Sequence, residues 1–275
     1  MTLSAKPPVI DFQILGIGAW GEMFRSWQDL SAVLRGESVE CEPSKGPKPE
    51  IIPANERRRA PLTVRLAVES STQAARNAQL DPSKLASIFV SGLGDTQLSD
   101  YMCKTLADNS ALSPTKFHNS VHNAAAGYWT ISTGCHQASS SMAGFGESVS
   151  LALMEALAQS QSEQKPILIT FHDAPCSEIF KNVLKNDTAF TASLIIDTGT
   201  SIASKPTFTA TIIEQTSDWP ELDCAAVRNC YRVNPAAKIL ALLDLLSVEN
   251  SSSSLLMPLS SQTSLKVTSV NSTGI

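Results

Sequence analysis

Residues 142–159 constrain this chain more than any other stretch. The apolar residues Met142, Phe145, Val149, Leu151, Leu153, Met154 and Leu157 are spread most of the way round a helical wheel. A helix apolar on nearly all sides has to be covered on nearly all sides. The continuous apolar run 166–171 (PILITF) follows, and reads as a strand buried on both faces. Together these segments predict helices sandwiched between sheets, or a partner chain that supplies the missing cover.

The flanking sequence supplies both element types. Residues 10–17 (IDFQILGI) read as a strand ending in a Gly-containing turn, with a helix through 24–34. Residues 36–61 are polar, hold five prolines and form a surface loop. Residues 63–79 carry Leu66, Ala67, Ala74, Ala75 and Ala78 at helical spacing. LASIFVSGLGD (85–95) is a buried strand closing on a Gly turn, and a helix follows over 98–108. YWTIST (128–133) is strand-like, as are 189–197 and 208–214. A helix over 235–248, a polar turn at 250–254 and a hairpin from 255–259 and 265–270 close the chain within 249–275. Strands alternating with helices make this an α/β chain with a largely internal sheet, in one domain over 1–275.

Several function classes fall away. A formal net charge of −5 gives no basic footprint for nucleic acid. No stretch approaches the ~18 apolar residues of a membrane span, and residues 1–13 have no signal-peptide pattern. The six cysteines are scattered without a C-x-x-C pair, which fits a reduced, cytoplasmic protein.

Cys135 is the residue to weigh for chemistry. It follows a strand-like run and precedes a small-residue stretch leading into a helix, where a thiolate can be stabilised. The alternative is a small buried apolar residue. The four histidines, His118, His122, His136 and His172, all precede residue 173. His118 and His122 lack close carboxylate or thiol companions, so a packed loop is favoured over a metal site, and no metal is expected. The turn Gly92-Leu93-Gly94-Asp95 lacks the rest of a dinucleotide fingerprint. The triplet Arg57, Arg58, Arg59 reads as a solvated surface, with docking of an acidic partner as the alternative. Cys224 and Cys230 read as structural.

Beyond these physical cues, YWTISTGC (128–135) resembles the nucleophile strand of β-ketoacyl synthases. SPTKFHNSVHNAAAGYWTISTG (113–134), the Ser-rich turn, the apolar helix and PILITFHDAP (166–175) are similar to the β-ketoacyl synthase-like chain length factors of aryl polyene clusters. PANERRRAP with VRLAVESS (53–71), NPAAKILALLDLL (234–246) and LLMPLSSQTSLKV fit the same pattern. The resemblance is clearest over 113–175. It implies a layered thiolase-like fold truncated to the N-terminal half with a short C-terminal remainder. It also implies a nucleophile at Cys135, or in another register Ala138 or one of Ser139, Ser140 and Ser141 facing the pocket. The second-half histidines of a working synthase are absent.

The expected function is therefore a non-catalytic chain-length-factor subunit. It pairs with a complete ketosynthase, binds no cofactor itself, and meets substrates on the phosphopantetheine of an acyl carrier protein that docks mainly on the partner. Phe117, His118, Asn119, Ser120, Val121, His122, Asn123, Tyr128 and Trp129 are the expected interface, and Met142, Phe145 and Val149 the expected tunnel wall. The competing reading is a stand-alone acyltransferase or thioesterase using Cys135 with a nearby histidine.

Overall fold

The 13-residue strand β1 (Val9–Gly21) is the spine of the fold, because it lies inside the sheet and not at its edge. The structure is a computed structural model that describes residues 8–199, 202, 205–247 and 254–270. Strands β2 (Ala86–Val90), β3 (Ser139–Met142), β4 (Ile167–Asp173), β5 (Phe190–Asp197), β6 (Thr207–Ile213), β7 (Ser254–Pro258) and β8 (Ser264–Val270) join β1 in one sheet. Their order is β3-β2-β4-β5-β1-β6-β8-β7. β2 runs parallel to β3 and β4, and all other neighbours are antiparallel.

The helices are α1 (Trp27–Leu34), α2 (Ala54–Arg57), α3 (Leu62–Ala78), α4 (Thr96–Ala107), α5 (Pro114–His118), α6 (Ala124–Thr133), α7 (Ser148–Glu163), α8 (Glu178–Leu184), α9 (Ala225–Val233) and α10 (Leu240–Ser247). They make two layers. On one face α3 and α6 bury Ala67, Val68, Ala74 and Trp129 against Leu15, Phe89, Leu168 and Ile195 of the sheet. On the other, α1, α7, α10 and a 3-10 turn at Pro235–Ile239 bury Leu30, Leu153, Leu157, Ile239 and Leu242 against Phe12, Ile88, Ile169 and Leu194. No described helix is long and apolar enough to cross a membrane.

Two glycines set the distance between α3 and the sheet. A Cβ on Gly16 would lie 2.3 Å from the Ala74 carbonyl oxygen, and one on Gly18 would lie 2.0 Å from that of Ser70. The helix therefore rests on bare backbone of β1. Hydroxyls then fix where it rests. Ser71 bonds Thr170 (2.8 Å), Thr170 bonds Ser193 (2.8 Å), and Ser193 and Thr191 both bond Ser70 (2.7 Å each). All five residues are buried, and a shifted helix would break the three bonds that Ser70 and Ser71 make to the sheet, each typically contributing about 1 kcal/mol.

Two expectations are corrected here. The helix expected over 142–159 begins at Ser148. Met142 instead ends β3, which is held by pairing with β2, and Gly144 and Gly146 lie in the turn between. Its buried residues Val149, Ala152, Leu153, Ala156, Leu157 and Ser160 meet the sheet and the Pro235–Ile239 turn, while Ala158 is exposed. No second sheet is needed to cover it. The expected strand 128–133 is helical, the second half of α6. Ala125, Ala126 and Trp129 fall on one helical face and are buried there, and this burial overrides the β-branched composition of Thr130, Ile131 and Thr133. Of the closing segment, 248–253 and 271–275 lie outside the described residues, and with them most of the polar turn at 250–254.

Candidate functional site

A strand, a sharp turn and a helix N-terminus together can present a nucleophile. The chain builds that unit one step later than the sequence suggested, from β3, the turn 143–147 and α7. Phe145 sits in the turn, more than half exposed, with a φ of +48°. A bulky residue rarely adopts this left-handed backbone, and it persists only where its surroundings enforce it. They do so here: the Ser148 hydroxyl donates to the Phe145 carbonyl (2.9 Å) and accepts from Gly144 N–H (2.8 Å), and the Trp219 indole donates to the Gly146 carbonyl (3.1 Å).

Cys135 lies elsewhere. It follows the carbonyl end of α6, past Gly134 at φ +66°, which is the wrong helix end to stabilise negative charge. Its thiol is buried and donates to the Leu85 carbonyl at 3.3 Å, and among the described residues no histidine bonds it. The alternative residues also fall away from the turn. Ser139, Ser140 and Ser141 are within edge strand β3, with the Ser139 hydroxyl 3.0 Å from that of Ser87, and Ala138 is the exposed residue just before it.

The carboxyl ends of the parallel strands, where open α/β sheets bind ligands, are closed by packing. A Cβ on Gly92 would lie 2.6 Å from Pro235 Cβ and 3.3 Å from the Phe145 carbonyl oxygen, so the turns after β2 and β3 meet the Pro235–Ile239 turn directly. Asp173, at the end of β4, ties them together. It accepts from Ser91 Oγ (2.7 Å) and from the backbone N–H groups of Leu93 (3.1 Å), Gly92 (3.2 Å) and Ala236 (3.1 Å). Burial pushes this carboxyl up to about 6, against the pull of those four donors.

His172 precedes it, buried, its ring edge-on to Phe89 and its Nδ1 without a partner among the described residues. Burial, and secondarily the charge of His122, pulls it down to about 3, so it is neutral at physiological pH. An unfolded histidine protonates from pH 6.5 downward while this one does not, so folding stability is lost as pH falls through that window. His172→Leu should remove the loss. By pH 4 the variant should be about 3 kcal/mol better off relative to wild type than at pH 7, read from urea midpoints at both pH values.

A groove of about 710 Å³ opens instead on the α3–α6 side. One wall is Ile52, Pro53, Glu56 and Arg59, another is Pro114, Thr115, His118 and Asn119, and the floor is α6 through Ala124, Gly127, Tyr128 and Ile131. Ile131 is 85% exposed, and Phe117 and Val121 are more than half exposed. Among the described residues β3 pairs only with β2, so its other edge is open.

The expected interface residues thus divide. Phe117, His118, Val121, His122 and Asn123 are exposed, and Ser120 and Tyr128 are half-buried. Trp129 is wholly buried under α6, and Asn119 is buried, donating to the Arg59 carbonyl (3.1 Å) and accepting from the Tyr128 hydroxyl (3.2 Å). Those two are interior residues, not surface. The expected tunnel wall does not form one surface either. Val149 is core on the other face of the sheet, Met142 is half-buried in β3, and Phe145 faces solvent. Among the described residues no group of three or more His, Cys, Asp or Glu could hold a metal ion. The Ile52–Arg59 wall falls in the stretch 36–61 expected as a surface loop; there the structure forms the short helix α2 and buries Ile52, and the sequence signals the wall only through its basic triplet.

Comparisons with known proteins agree with this architecture. The pattern of the β-ketoacyl synthase N-terminal domain family matches residues 27–239. No curated protein matches the chain. Among solved structures, a chain of the ketosynthase ApeO in complex with its chain length factor ApeC, from Xenorhabdus doucetiae, superposes with a TM-score of 0.71 at 17% identity. That match covers 94% of this chain and 99% of the other. The ishigamide ketosynthase/chain length factor gives a TM-score of 0.66 at 11% identity, over 94% and 98% of the two chains. A β-ketoacyl synthase from Burkholderia phymatum STM815 gives 0.56 at 12% identity, over 83% and 71%. With a thiolase-like fold that amounts to roughly the first half of a synthase, the chain belongs to the β-ketoacyl synthase N-terminal domain family.

Proposed function

We propose that this chain is a non-catalytic, chain-length-factor-type subunit that pairs with a complete β-ketoacyl synthase in aryl-polyene or fatty-acid-type chain elongation. The observation that carries the reading is the turn between β3 and α7. Phe145 occupies the place where a nucleophile would meet a helix N-terminus, while Cys135 is held by a backbone carbonyl behind α6. Condensation needs preorganised donors at a developing oxyanion, each contributing ~10²–10³ in rate. Here the crevice that would hold them is filled by Gly92, Pro235 and the Phe145 carbonyl.

The partner supplies the reacting cysteine and histidines. The open edge of β3 and the exposed side chains Phe117, Val121 and Ile131 form the face toward it, and the groove over α6 contributes to the far wall of the acyl tunnel. A stable pair of this kind buries about 800 Å² on each subunit. Substrates arrive on the phosphopantetheine of an acyl carrier protein, in the cytoplasm.

The test is co-expression with a complete ketosynthase, co-purification, and assay of carrier-bound product. Cys135→Ala should leave product formation within about twofold of wild type, and Ile131→Glu should lower recovery of the pair by about tenfold or more. Loss of all product with Cys135→Ala would instead identify a stand-alone Cys/His acyltransferase or thioesterase. Carbon dioxide release from a malonyl thioester by the isolated chain would overturn the proposal.

A further inference from the structure

A cavity of about 170 Å³ opens beside the C-terminal end of α3. Ile51, Ala75, Leu80 and Pro82 are its apolar walls, and Thr72, Arg76 and Trp129 complete it. Ile51 and Trp129 line this cavity while their neighbours Ile52 and Tyr128 line the groove, so the two spaces are separated by one stretch of loop and by α6. An apolar cavity of about 150 Å³ is large enough to take up benzene.

Two donors at this cavity are unspent. Trp129 is wholly buried, yet its indole N–H has no acceptor among the described residues. Such a group has lost its water without gaining a partner, which native interiors rarely tolerate. Arg76 is exposed where the cavity meets solvent, and its side chain takes part in no hydrogen bond or ion pair among the described residues. The other polar groups are engaged. The Thr72 hydroxyl donates to the Val68 carbonyl (2.7 Å), Gln79 N–H to the Arg76 carbonyl (3.1 Å) and Leu80 N–H to the Ala75 carbonyl (3.0 Å). No carboxylate lines the cavity. Glu50 and Asp81 adjoin wall residues in sequence, and Asp81 accepts from the Ser83 amide (3.0 Å) and hydroxyl (2.7 Å) and faces Lys84 at 3.9 Å. The helix end contributes a partial negative charge of about half a unit, which the full charge of Arg76 outweighs.

We infer that this cavity binds a small monocarboxylate with an apolar body of about benzoate's size. The body fills the space between Ile51, Ala75, Leu80 and Trp129. The carboxylate meets the Arg76 guanidinium, and it brings the acceptor that the indole N–H lacks. Apolar walls with two donors select this class over a cation, which Arg76 repels, and over a hydrocarbon, which satisfies neither donor. The site stands apart from the subunit reading, because it needs no partner chain. An occupant would rest against Ile51 and α6 from behind, and so would hold the loop and helix that also shape the groove.

The test is proton–nitrogen NMR of the full chain, titrated with sodium benzoate and, as a neutral counterpart of similar size, benzyl alcohol. The chain has four tryptophans, and Trp129→Phe identifies which indole N–H signal belongs to Trp129. Benzoate should move that signal saturably, half complete below about 5 mM, an affinity within reach of so small a ligand. Arg76→Gln should weaken benzoate binding at least about fivefold and leave benzyl alcohol within about twofold. Its Tm should be unchanged, because the Arg76 side chain holds nothing else. Leu80→Phe, which enlarges a wall residue into the cavity, should abolish the shift with both probes. Absence of a saturable shift would overturn the inference. So would equal benzoate affinity in wild type and Arg76→Gln, or a shift undiminished in a folded Leu80→Phe variant.

Discussion

Gly18→Ala should strongly destabilise the fold and lower soluble yield. The added methyl would stand 2.0 Å from the Ser70 carbonyl oxygen, 2.7 Å from Gln73 Cβ and 2.8 Å from the Ala74 amide nitrogen. Two of these are backbone atoms in the middle of α3, so no side chain can swing aside. Moving the helix outward would break the hydroxyl chain from Ser71 to Thr191 and open the core around Val68 and Leu168. Overpacking in well-filled cores costs about 1–3 kcal/mol and more where backbone must move. We expect a loss above ~3 kcal/mol from a domain stability of about 5–15 kcal/mol. The matched control is Gly127→Ala, inside α6, where a Cβ meets nothing within 4 Å. That change should stabilise by about 0.5–1 kcal/mol through helix propensity. Urea midpoints and soluble yield of the two variants decide the matter, and a Gly18→Ala protein as stable as wild type would refute the packing account.

Asp173→Ala should be the most damaging polar substitution. It strips the acceptor from the Gly92 and Leu93 N–H groups and from the buried Ser91 hydroxyl, leaving Ala236 N–H to Asn234 Oδ1 alone, and should cost on the order of 3–5 kcal/mol at about 1–3 kcal/mol per orphaned donor. The loss will depend on pH with a definite sign. The folded carboxyl titrates at about 6, against 3.8 for the unfolded group, so between those values the folded chain binds more protons. Stability from this residue is full below about pH 4 and declines as pH rises to about 6, by up to ~3 kcal/mol. The gap between wild type and Asp173→Ala should therefore be widest near pH 4 and narrow by pH 7. Subtracting the two curves cancels the opposite trend from His172. A gap that widens with rising pH would mean the four donors outweigh burial.

The core strands could be read directly because their composition and their environment agree. Residues 167–171 and 190–196 are mostly apolar, and both strands are buried along their length. The failures come from elements defined by their neighbours. Ser139–Met142 has no strand character of its own and is a strand because Ser87, Ile88, Phe89 and Val90 pair with it. That placement shifted the whole strand–turn–helix unit away from Cys135. In α6 the residues Tyr128, Trp129, Thr130 and Ile131 favour a strand on composition, and only the burial of Ala125, Ala126 and Trp129 on one side reveals the helix. The groove was half legible. The 117–128 segment is marked by its composition, but the opposite wall comes from residues 52–59, whose single-turn helix α2 is too short to give a periodic signal.

The interior position of β1 bears on how the chain is made. Gly21 pairs with Phe190 and Val9 with Thr211, so β1, once synthesised, waits for partners some 170 to 200 residues later. At about 5–20 residues per second, a ribosome leaves it unpaired for roughly 10–40 s. Throughout that interval an apolar ribbon containing Phe12, Ile14, Leu15 and Ile17 is available to holdase chaperones or to a second nascent chain, so the yield in a cell will follow translation speed and chaperone supply as well as the final contacts.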